Sequence, residues 1–81
     1  MTYDRLKEVV RSPATANAVR LYLGLATFAE DRFTPPTDFA DVGRCAGMSR
    51  ASACRAAAEL ERDGWIVRVS DPWTLPSWRL T

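Results

Sequence analysis

One stretch of the chain, residues 46–66, combines a glycine turn with a capped helix and limits the folds that the rest can adopt. Gly47 suits the left-handed exit of one helix, and Ser49 is a good N-cap for the next. That next helix is predicted over residues 50–63 and is stopped by Gly64. Its apolar residues recur at helical spacing and predict a buried stripe of Ala53, Ala57 and Leu60, with Ala56 beside it. The stretch therefore predicts two short helices joined by a sharp turn.

Hydrophobic periodicity predicts three helices before this turn. Residues 3–11 form a short amphipathic helix. Ser12 followed by Pro13 resembles the start of a second helix, which continues through residues 15–31 and is apolar on two faces. After a Pro-Pro loop, Thr37 is predicted to cap a third helix that runs up to the glycine turn.

The periodicity changes in residues 65–81, where charged and apolar residues alternate. The alternation around Arg68 and again around Arg79 predicts two strands, with both arginines facing outward. A loop with prolines separates the strands, so the segment is predicted to be a two-strand hairpin. Trp73, in that loop, either folds back onto the core or is exposed as a contact residue for nucleic acid or protein.

The chain length and the amino-acid composition exclude several classes of protein. A chain of 81 residues makes one domain, and its longest nearly uncharged apolar run, residues 21–29, is far shorter than a membrane span. Charges near the start argue against a signal peptide, so we expect a cytoplasmic protein without a membrane partner. With two cysteines and no histidine, no zinc site, other metal or cofactor is expected. Catalytic motifs are missing, so no enzyme is expected.

Positive charge is unevenly distributed although the net charge is only +1. Residues 44–58 contain three arginines and no acid, whereas residues 59–63 carry three acids and one arginine. A purely cationic block is a weak signal for a polyanionic partner. Acids near a helix C-terminus are unfavourable for the helix dipole, which is understandable if the N-terminal half of the helix is the end that meets phosphates.

The order of helices, sharp turn, helix and hairpin resembles the winged helix-turn-helix family. These are the DNA-binding domains of many bacterial, phage and plasmid transcriptional regulators and of some plasmid replication initiators. The resemblance is carried by Val42, Ala46, Gly47, Met48, Ser49, Arg50, Ala53, Leu60, Gly64, Trp65 and Ile66. It implies a mostly α fold with a small β-hairpin, about four helices followed by a two-strand wing. The single domain 1–81 would then comprise an N-terminal helix (1–14), the helix-turn-helix (38–63) and the wing (65–81).

The resemblance implies that helix 50–63 is a recognition helix inserted into the major groove by its N-terminal half. Arg55 is the best candidate for a base contact, Ser52 is a second, and Arg50 suits either a phosphate or a base. The alanines either allow close approach to base edges or simply stabilise the helix. An acidic wing tip departs from the usual basic one. The candidate DNA-binding residues are Thr37, Arg44, Ser49, Arg50, Ala51, Ser52, Arg55, Arg68 and Trp73.

Double-stranded DNA is the expected partner, and a small transcriptional repressor that acts by operator occupancy is the favoured function. One copy offers few phosphate contacts, so a homodimer on a palindromic site is expected. The candidate interface, unless the N-terminal helix simply folds onto its own domain, comprises Leu6, Val9, Val10, Leu21, Leu25 and Phe28. The alternatives are a winged-helix module that binds a protein partner, and a plasmid or phage replication or maintenance factor.

Overall fold

Four helices followed by a two-strand antiparallel hairpin make up the fold, which confirms the expected mostly α architecture with a wing. The computed structural model describes residues 3–81. The elements are α1 (Tyr3–Arg11), α2 (Ala16–Phe28), α3 (Phe39–Ala46), α4 (Arg50–Arg62), β1 (Ile66–Arg68) and β2 (Trp78–Leu80). Within the described range, none of the helices has the length and apolar character that crossing a lipid bilayer requires.

The core lies where α2, α3 and α4 pack against one another, with α1 against α2 and the wing against α4. Three alanines of α4 are buried there, and their short side chains let the neighbouring helices approach closely. The largest fully buried side chains are Trp78, Tyr22, Leu21, Leu25, Leu60, Ile66, Leu80, Val9 and Val42. Burying one such side chain stabilises the fold by roughly 1.5–3 kcal/mol, so these residues hold α4 and the wing in a fixed relation.

Helix α2 begins later than predicted. Its N-cap is Thr15, whose side chain accepts a hydrogen bond from the Ala18 amide at 3.2 Å. Ser12, the predicted start, instead donates its hydroxyl proton to the Val9 carbonyl oxygen at 2.7 Å and closes α1. The prediction from Ser12-Pro13 was therefore wrong, because Ser12 closes the preceding helix.

Helix α3 begins one residue later than predicted. Asp38 is its N-cap, and its carboxylate accepts the Ala40 amide proton at 2.6 Å. The hydroxyl of Thr37 donates to the Pro35 carbonyl oxygen at 2.8 Å, and the Thr37 amide donates to the Pro76 carbonyl oxygen at 3.0 Å. Thr37 therefore joins the Pro-Pro loop to the wing, and the prediction that it caps α3 was wrong.

An extra strand-like segment shortens α2 relative to the prediction. The helix ends at Phe28, and Ala29 is already extended. Glu30 and Phe33 then form a tight bridge, and Phe33 also pairs with Arg79 on β2. Residues 29–31 were predicted to be helical. They instead lead into a short segment that pairs with β2 through Phe33.

The register of the wing corrects the predicted direction of one arginine. In the antiparallel pair, Arg68 lies opposite Trp78 and Val67 lies opposite Arg79. Opposed residues share a face of the sheet, and Trp78 is fully buried, so Arg68 starts on the core side. Val67 and Arg79 are exposed on the other side. Arg79 faces outward as predicted, whereas Arg68 does not.

The predicted dimer interface is largely used inside the single chain. Val9, Leu21 and Leu25 are 0% exposed, so they have no surface to offer a second copy. The prediction is wrong for these three residues, because α1, α3 and α4 all pack against α2 and enclose both of its apolar stripes in one core. Leu6 and Phe28 are partly buried against the same core. Val10 alone of the six is well exposed, at 57%.

Arg5 fastens α1 to the wing end of the fold. Its guanidinium stacks over the Trp65 ring at 4.1 Å and donates from Nε to the Thr81 main-chain oxygen at 2.6 Å. The Tyr22 hydroxyl donates to the same oxygen at 3.2 Å. Burial raises the pKa of Tyr22 above its usual 10.0, and the nearby charge of Arg5 opposes that rise.

Candidate nucleic-acid interface

The turn between α3 and α4 fixes where the second helix begins. Gly47 adopts a left-handed conformation with φ 72°, as predicted, and its amide donates to the Arg44 carbonyl oxygen. The Met48 amide donates to the Gly43 carbonyl oxygen at 2.9 Å. A Cβ atom on Gly43 would lie only 2.6 Å from the Met48 carbonyl oxygen, so the turn folds tightly over a position that needs glycine. No local pattern in the sequence marks Gly43 for this role.

The first turn of α4 presents free polar groups to solvent. Ser49 caps the helix as predicted, and its hydroxyl oxygen accepts the Ser52 amide proton at 3.1 Å. Arg55 lies one turn further on and donates weakly to the Ser52 hydroxyl oxygen at 3.4 Å. Arg50 is exposed, and within residues 3–81 its side chain has no hydrogen bond or ion pair. A phosphate or base edge at this end would meet two arginines and a capping serine.

The outer face of α4 is made of small residues as far as its middle. Ala51 and Ala58 are exposed, Ser52 is half-buried, and Arg55 is the long side chain among them. The opposite face, with Ala53 and the other buried alanines, is packed into the core. A helix whose outer face carries mostly short side chains can lie close to base edges, because the major groove is only just wide enough for a helix.

The acids at the far end of α4 have structural partners. Glu59 accepts both the amide and the hydroxyl proton of Thr15, each at 2.9 Å, and so ties α4 to the start of α2. Glu61 accepts the Trp78 indole N–H at 2.7 Å. These hydrogen bonds explain why acidic residues occur at this end of α4. The explanation from the helix dipole and DNA phosphates is therefore not needed. Glu59 also lies beside Ser52 and Arg55 in a shallow hollow, so the acid-free surface ends there.

Two candidate residues from α3 and its approach are already engaged. Arg44 forms an exposed ion pair with Asp41 one turn earlier on α3. An exposed pair of this kind stabilises by at most about 1 kcal/mol, so Arg44 could exchange Asp41 for a phosphate at little cost. Thr37 is half-buried and uses its hydroxyl within the Pro-Pro loop, which leaves it poorly placed to contact DNA.

Arg68 is occupied within the wing. Its Nη2 donates to the carbonyl oxygens of Thr74 at 2.8 Å, Asp71 at 3.1 Å and Pro72 at 3.5 Å. Its Nε donates to the Ser70 hydroxyl oxygen at 3.2 Å. The guanidinium therefore lies within its own loop. The prediction from the sequence, that Arg68 projects outward towards a ligand, was wrong.

Trp73 stands at the tip of the wing and is 83% exposed, so it does not fold back onto the core. A surface cleft connects it with the start of α4, since Trp73, Arg50 and Arg68 line the same hollow. Asp38, the N-cap of α3, also lines this hollow. The structure thus brings Ser49, Arg50, Ser52 and Arg55 together on α4, and Arg50 also lines the cleft that Trp73 lines.

No group of three or more histidine, cysteine, aspartate or glutamate side chains in residues 3–81 is arranged to hold a metal ion. A family model described as the MarR family matches residues 31–72, just over half of the chain. The matched part runs from the loop after α2 through α3, the turn and α4 into the wing. Searches of curated proteins and of solved structures returned no match.

Proposed function

We propose a specific role for this chain, which belongs to the MarR family of winged helix-turn-helix DNA-binding transcription regulators. The role is repression, in which the chain binds a particular double-stranded operator and blocks access to it. The single observation that supports this most strongly is the entrance of α4. There, two exposed arginines and a capping serine stand beside small side chains. Glu61 and Asp63 lie at the other end of α4, whereas Glu59 borders the proposed contact surface beside Arg55.

In this proposal α4 enters the major groove by its N-terminal half. Arg55 contacts a base edge, with guanine the best match because a guanidinium can donate two parallel hydrogen bonds to it. Ser52 lies one turn before Arg55 and contacts a neighbouring base or phosphate. Ser49 and the free amides of the first turn hold a phosphate, since a helix N-terminus carries partial positive charge. Arg50 contacts a phosphate, and Ala51 lets the groove wall approach.

A homodimer remains part of the proposal, although its surface differs from the one expected. A monomer with three or four phosphate contacts binds weakly at cellular salt, and two copies on a palindrome would double the contacts. With the second stripe of α2 buried, the exposed side of α1 around Val10 is the remaining part of the expected surface. Sedimentation or light scattering at micromolar concentration tests this directly, since a mass of 9.0 kDa is that of one copy.

The test of base recognition compares two arginines of the same helix. Arg55 lies on the proposed contact face, whereas Arg62 lies at the far end of α4 and is paired with Asp63 at 3.2 Å. We expect Arg55→Ala to weaken binding to a selected operator by about 1–3 kcal/mol and to affect random DNA much less. Arg62→Ala, the matched control, should change neither affinity. Equal losses on operator and random DNA for Arg55→Ala would contradict base recognition by this residue.

A protein-binding module is the second candidate, and the exposed apolar wing favours it. Val67, Val69, Trp73 and Leu75 are all exposed on or near the hairpin. Absence of DNA binding at low salt would favour this candidate. A replication or maintenance factor would share the DNA contacts proposed above and differ in whether binding silences a promoter. A promoter-reporter assay with the operator separates those two outcomes.

A further inference from the structure

The outer face of the wing sheet carries a row of four side chains. Val67 of β1 lies opposite Arg79 of β2, and Arg79 also lies opposite Phe33. Phe33 in turn lies opposite Glu30. Directly opposed residues share a face of a sheet and lie about 5 Å apart, so Glu30, Phe33, Arg79 and Val67 form one continuous row, which we call the outer row. All four residues are exposed, Phe33 at 46% and Val67 at 41%.

A two-residue turn places Glu30 at the end of the outer row. The Glu30 amide donates to the Phe33 carbonyl oxygen at 2.8 Å, and the Phe33 amide donates to the Glu30 carbonyl oxygen at 2.9 Å. Between them, Asp31 and Arg32 both have positive φ, at 51° and 70°. Such a turn follows the twist of a hairpin, but its backbone is uncommon for residues other than glycine and is unfavourable for arginine. The chain therefore accepts backbone strain where it brings a carboxylate next to an exposed aromatic ring.

The two charged groups of the outer row have no partner in their own chain. Phe33 separates Glu30 from Arg79, so the main chains of these two residues are about 10 Å apart. Within residues 3–81, neither the Glu30 carboxylate nor the Arg79 guanidinium has a hydrogen bond or an ion pair. The outer row thus presents an unpaired acid, an exposed ring and an unpaired base in succession. A partner surface that presents the same three groups in the reverse order would satisfy all of them.

Exposed apolar side chains are concentrated around the outer row. In the part of the chain that the structure describes, the large ones are Val10, Phe33, Val67, Val69, Trp73 and Leu75. All except Val10 lie in the wing or in the segment paired with it. The opposite face of the sheet, with Trp78, packs towards α4, where Glu61 accepts the indole proton. The outer row therefore faces away from α4, and a protein bound to it would leave the entrance of α4 open.

We propose that the outer row is a contact surface between two copies of this chain. The inference goes beyond the proposed function, because it concerns a face of the wing that lies away from α4 and is tested without DNA. It assigns self-association to the wing in place of the exposed side of α1 around Val10.

The order of the side chains makes the outer row complementary to itself. The two sheets pack face to face around a two-fold axis that runs along the strands and passes between Phe33 and Arg79. This axis reverses the order of the row in the partner. The Arg79 guanidinium of each copy then lies over the Phe33 ring of the other, which is a cation–π contact, and beside its Glu30 carboxylate. Each contact occurs twice because the interface is isologous.

Sedimentation equilibrium in the absence of DNA measures the pairing. The row is small compared with a standard interface, so protein concentrations up to about 1 mM are used. We expect the mass of the wild-type chain to rise from 9.0 kDa towards twice that value as the concentration increases. Arg79→Glu should weaken pairing more than about tenfold, because both ion pairs become repulsions and both cation–π contacts are lost. Arg20→Glu is the matched control. It reverses another exposed arginine, on α2, and should leave pairing unchanged.

A mixing experiment tests the reversed order of the row. Glu30→Arg should also prevent pairing, because each row then carries two arginines. Arg79→Glu and Glu30→Arg, neither of which pairs alone, should form a mixed pair when combined, because the acids of one chain then face the arginines of the other. A misfolded variant would not regain a partner in this way, and circular dichroism of each variant confirms that folded proteins are compared.

The outcomes that would overturn the inference are distinct. One is a wild-type mass of 9.0 kDa at the highest concentration, and another is a pair that survives Arg79→Glu. A mixture that stays at the mass of single chains would refute the reversed arrangement. A pair that is lost in Val10→Asp and kept in Arg79→Glu would place the interface on α1. None of these results affects the DNA contacts proposed for α4, which the operator measurements test separately.

Discussion

Gly43 is the position where a single added methyl group should most affect the placement of α4. It lies inside α3, and a Cβ atom there would meet the Met48 carbonyl oxygen at 2.6 Å and the Ser49 carbonyl oxygen at 3.1 Å. Ordinary contact begins at 3.4 Å, so the first distance is about 0.8 Å too short. Both neighbours are main-chain atoms of the turn. They cannot rotate away, so in Gly43→Ala the turn itself has to move.

The magnitude follows from two opposing effects. Replacing glycine by alanine inside a helix stabilises it by roughly 0.8–1 kcal/mol. Overpacking against fixed atoms costs about 1–3 kcal/mol. We therefore expect Gly43→Ala to lower the free energy of unfolding by up to about 2 kcal/mol. Each kcal/mol lowers Tm by about 4–8 °C in a domain of this size. Operator affinity should fall as well, because the displaced turn carries the Ser49 cap and the start of α4.

Gly24→Ala provides the matched control. Gly24 also lies inside a helix, but its added Cβ would meet the Ala46 methyl group at 3.3 Å, a much milder contact. We expect this variant to be as stable as the wild type or slightly more stable. Urea unfolding of both variants, followed by circular dichroism, measures the difference. If Gly43→Ala proved as stable as Gly24→Ala and bound DNA normally, the argument from the tight turn would be refuted.

Three more substitutions or conditions test the packing. Leu25→Asp should unfold the chain and not yield a folded monomer, because it would bury a charge in a fully enclosed site at a cost of more than about 4 kcal/mol; a native circular dichroism spectrum would contradict this. Glu59→Ala removes the acceptor for two Thr15 protons and should lower the free energy of unfolding by about 1–2 kcal/mol in urea titrations, whereas an unchanged midpoint would mean that the bonds contribute nothing. The raised pKa of Tyr22 favours its neutral form in the folded state, so this contribution to stability is complete below pH 10.0 and is lost as pH rises above that value. Thermal unfolding across that pH range should show the loss, and Tyr22→Phe should reduce it.

Local signals were sufficient for the helix-turn-helix. Gly47, Ser49 and Gly64 act through their own backbone conformation or their nearest amides, so the sequence alone locates the turn and both ends of α4 to within one residue. The buried stripe of α4 was equally predictable, because a period of 3.6 residues decides which side chains face the core. These are the features that led to the correct fold.

Features that depend on distant partners were not predictable. Thr15 donates hydrogen bonds to Glu59 of α4, and the two residues are 44 positions apart in the sequence. No local pattern distinguishes Thr15 from Ser12 as the start of α2. When a helix is apolar on two faces, its sequence does not show which face packs against its own chain and which face packs against a second copy. The packing of α1, α3 and α4 around α2 decides this, so Leu21 and Leu25 are core residues.

The candidate site was predictable on α4 and less so in the wing. Alternation around Arg68 fitted either face of the sheet, since a shift of one residue exchanges the two faces. Pairing with Trp78 set the register, and the loop carbonyl oxygens then attracted the guanidinium. The close approach at Gly43 also depends on the three-dimensional path of the turn. A sequence shows the glycine there without showing which atoms it lies against.

The measurement that tests the central claim most directly is a salt titration of binding to duplex DNA, with the mass of the protein in solution recorded in parallel. The account predicts that log affinity falls linearly with log salt, with a slope of about 3 for a monomer or about 6 for a dimer. It also predicts a selected operator that binds more tightly than random duplex at each salt concentration. No binding to either duplex at low salt would contradict the account, and the exposed wing would then be tested as a protein-binding surface.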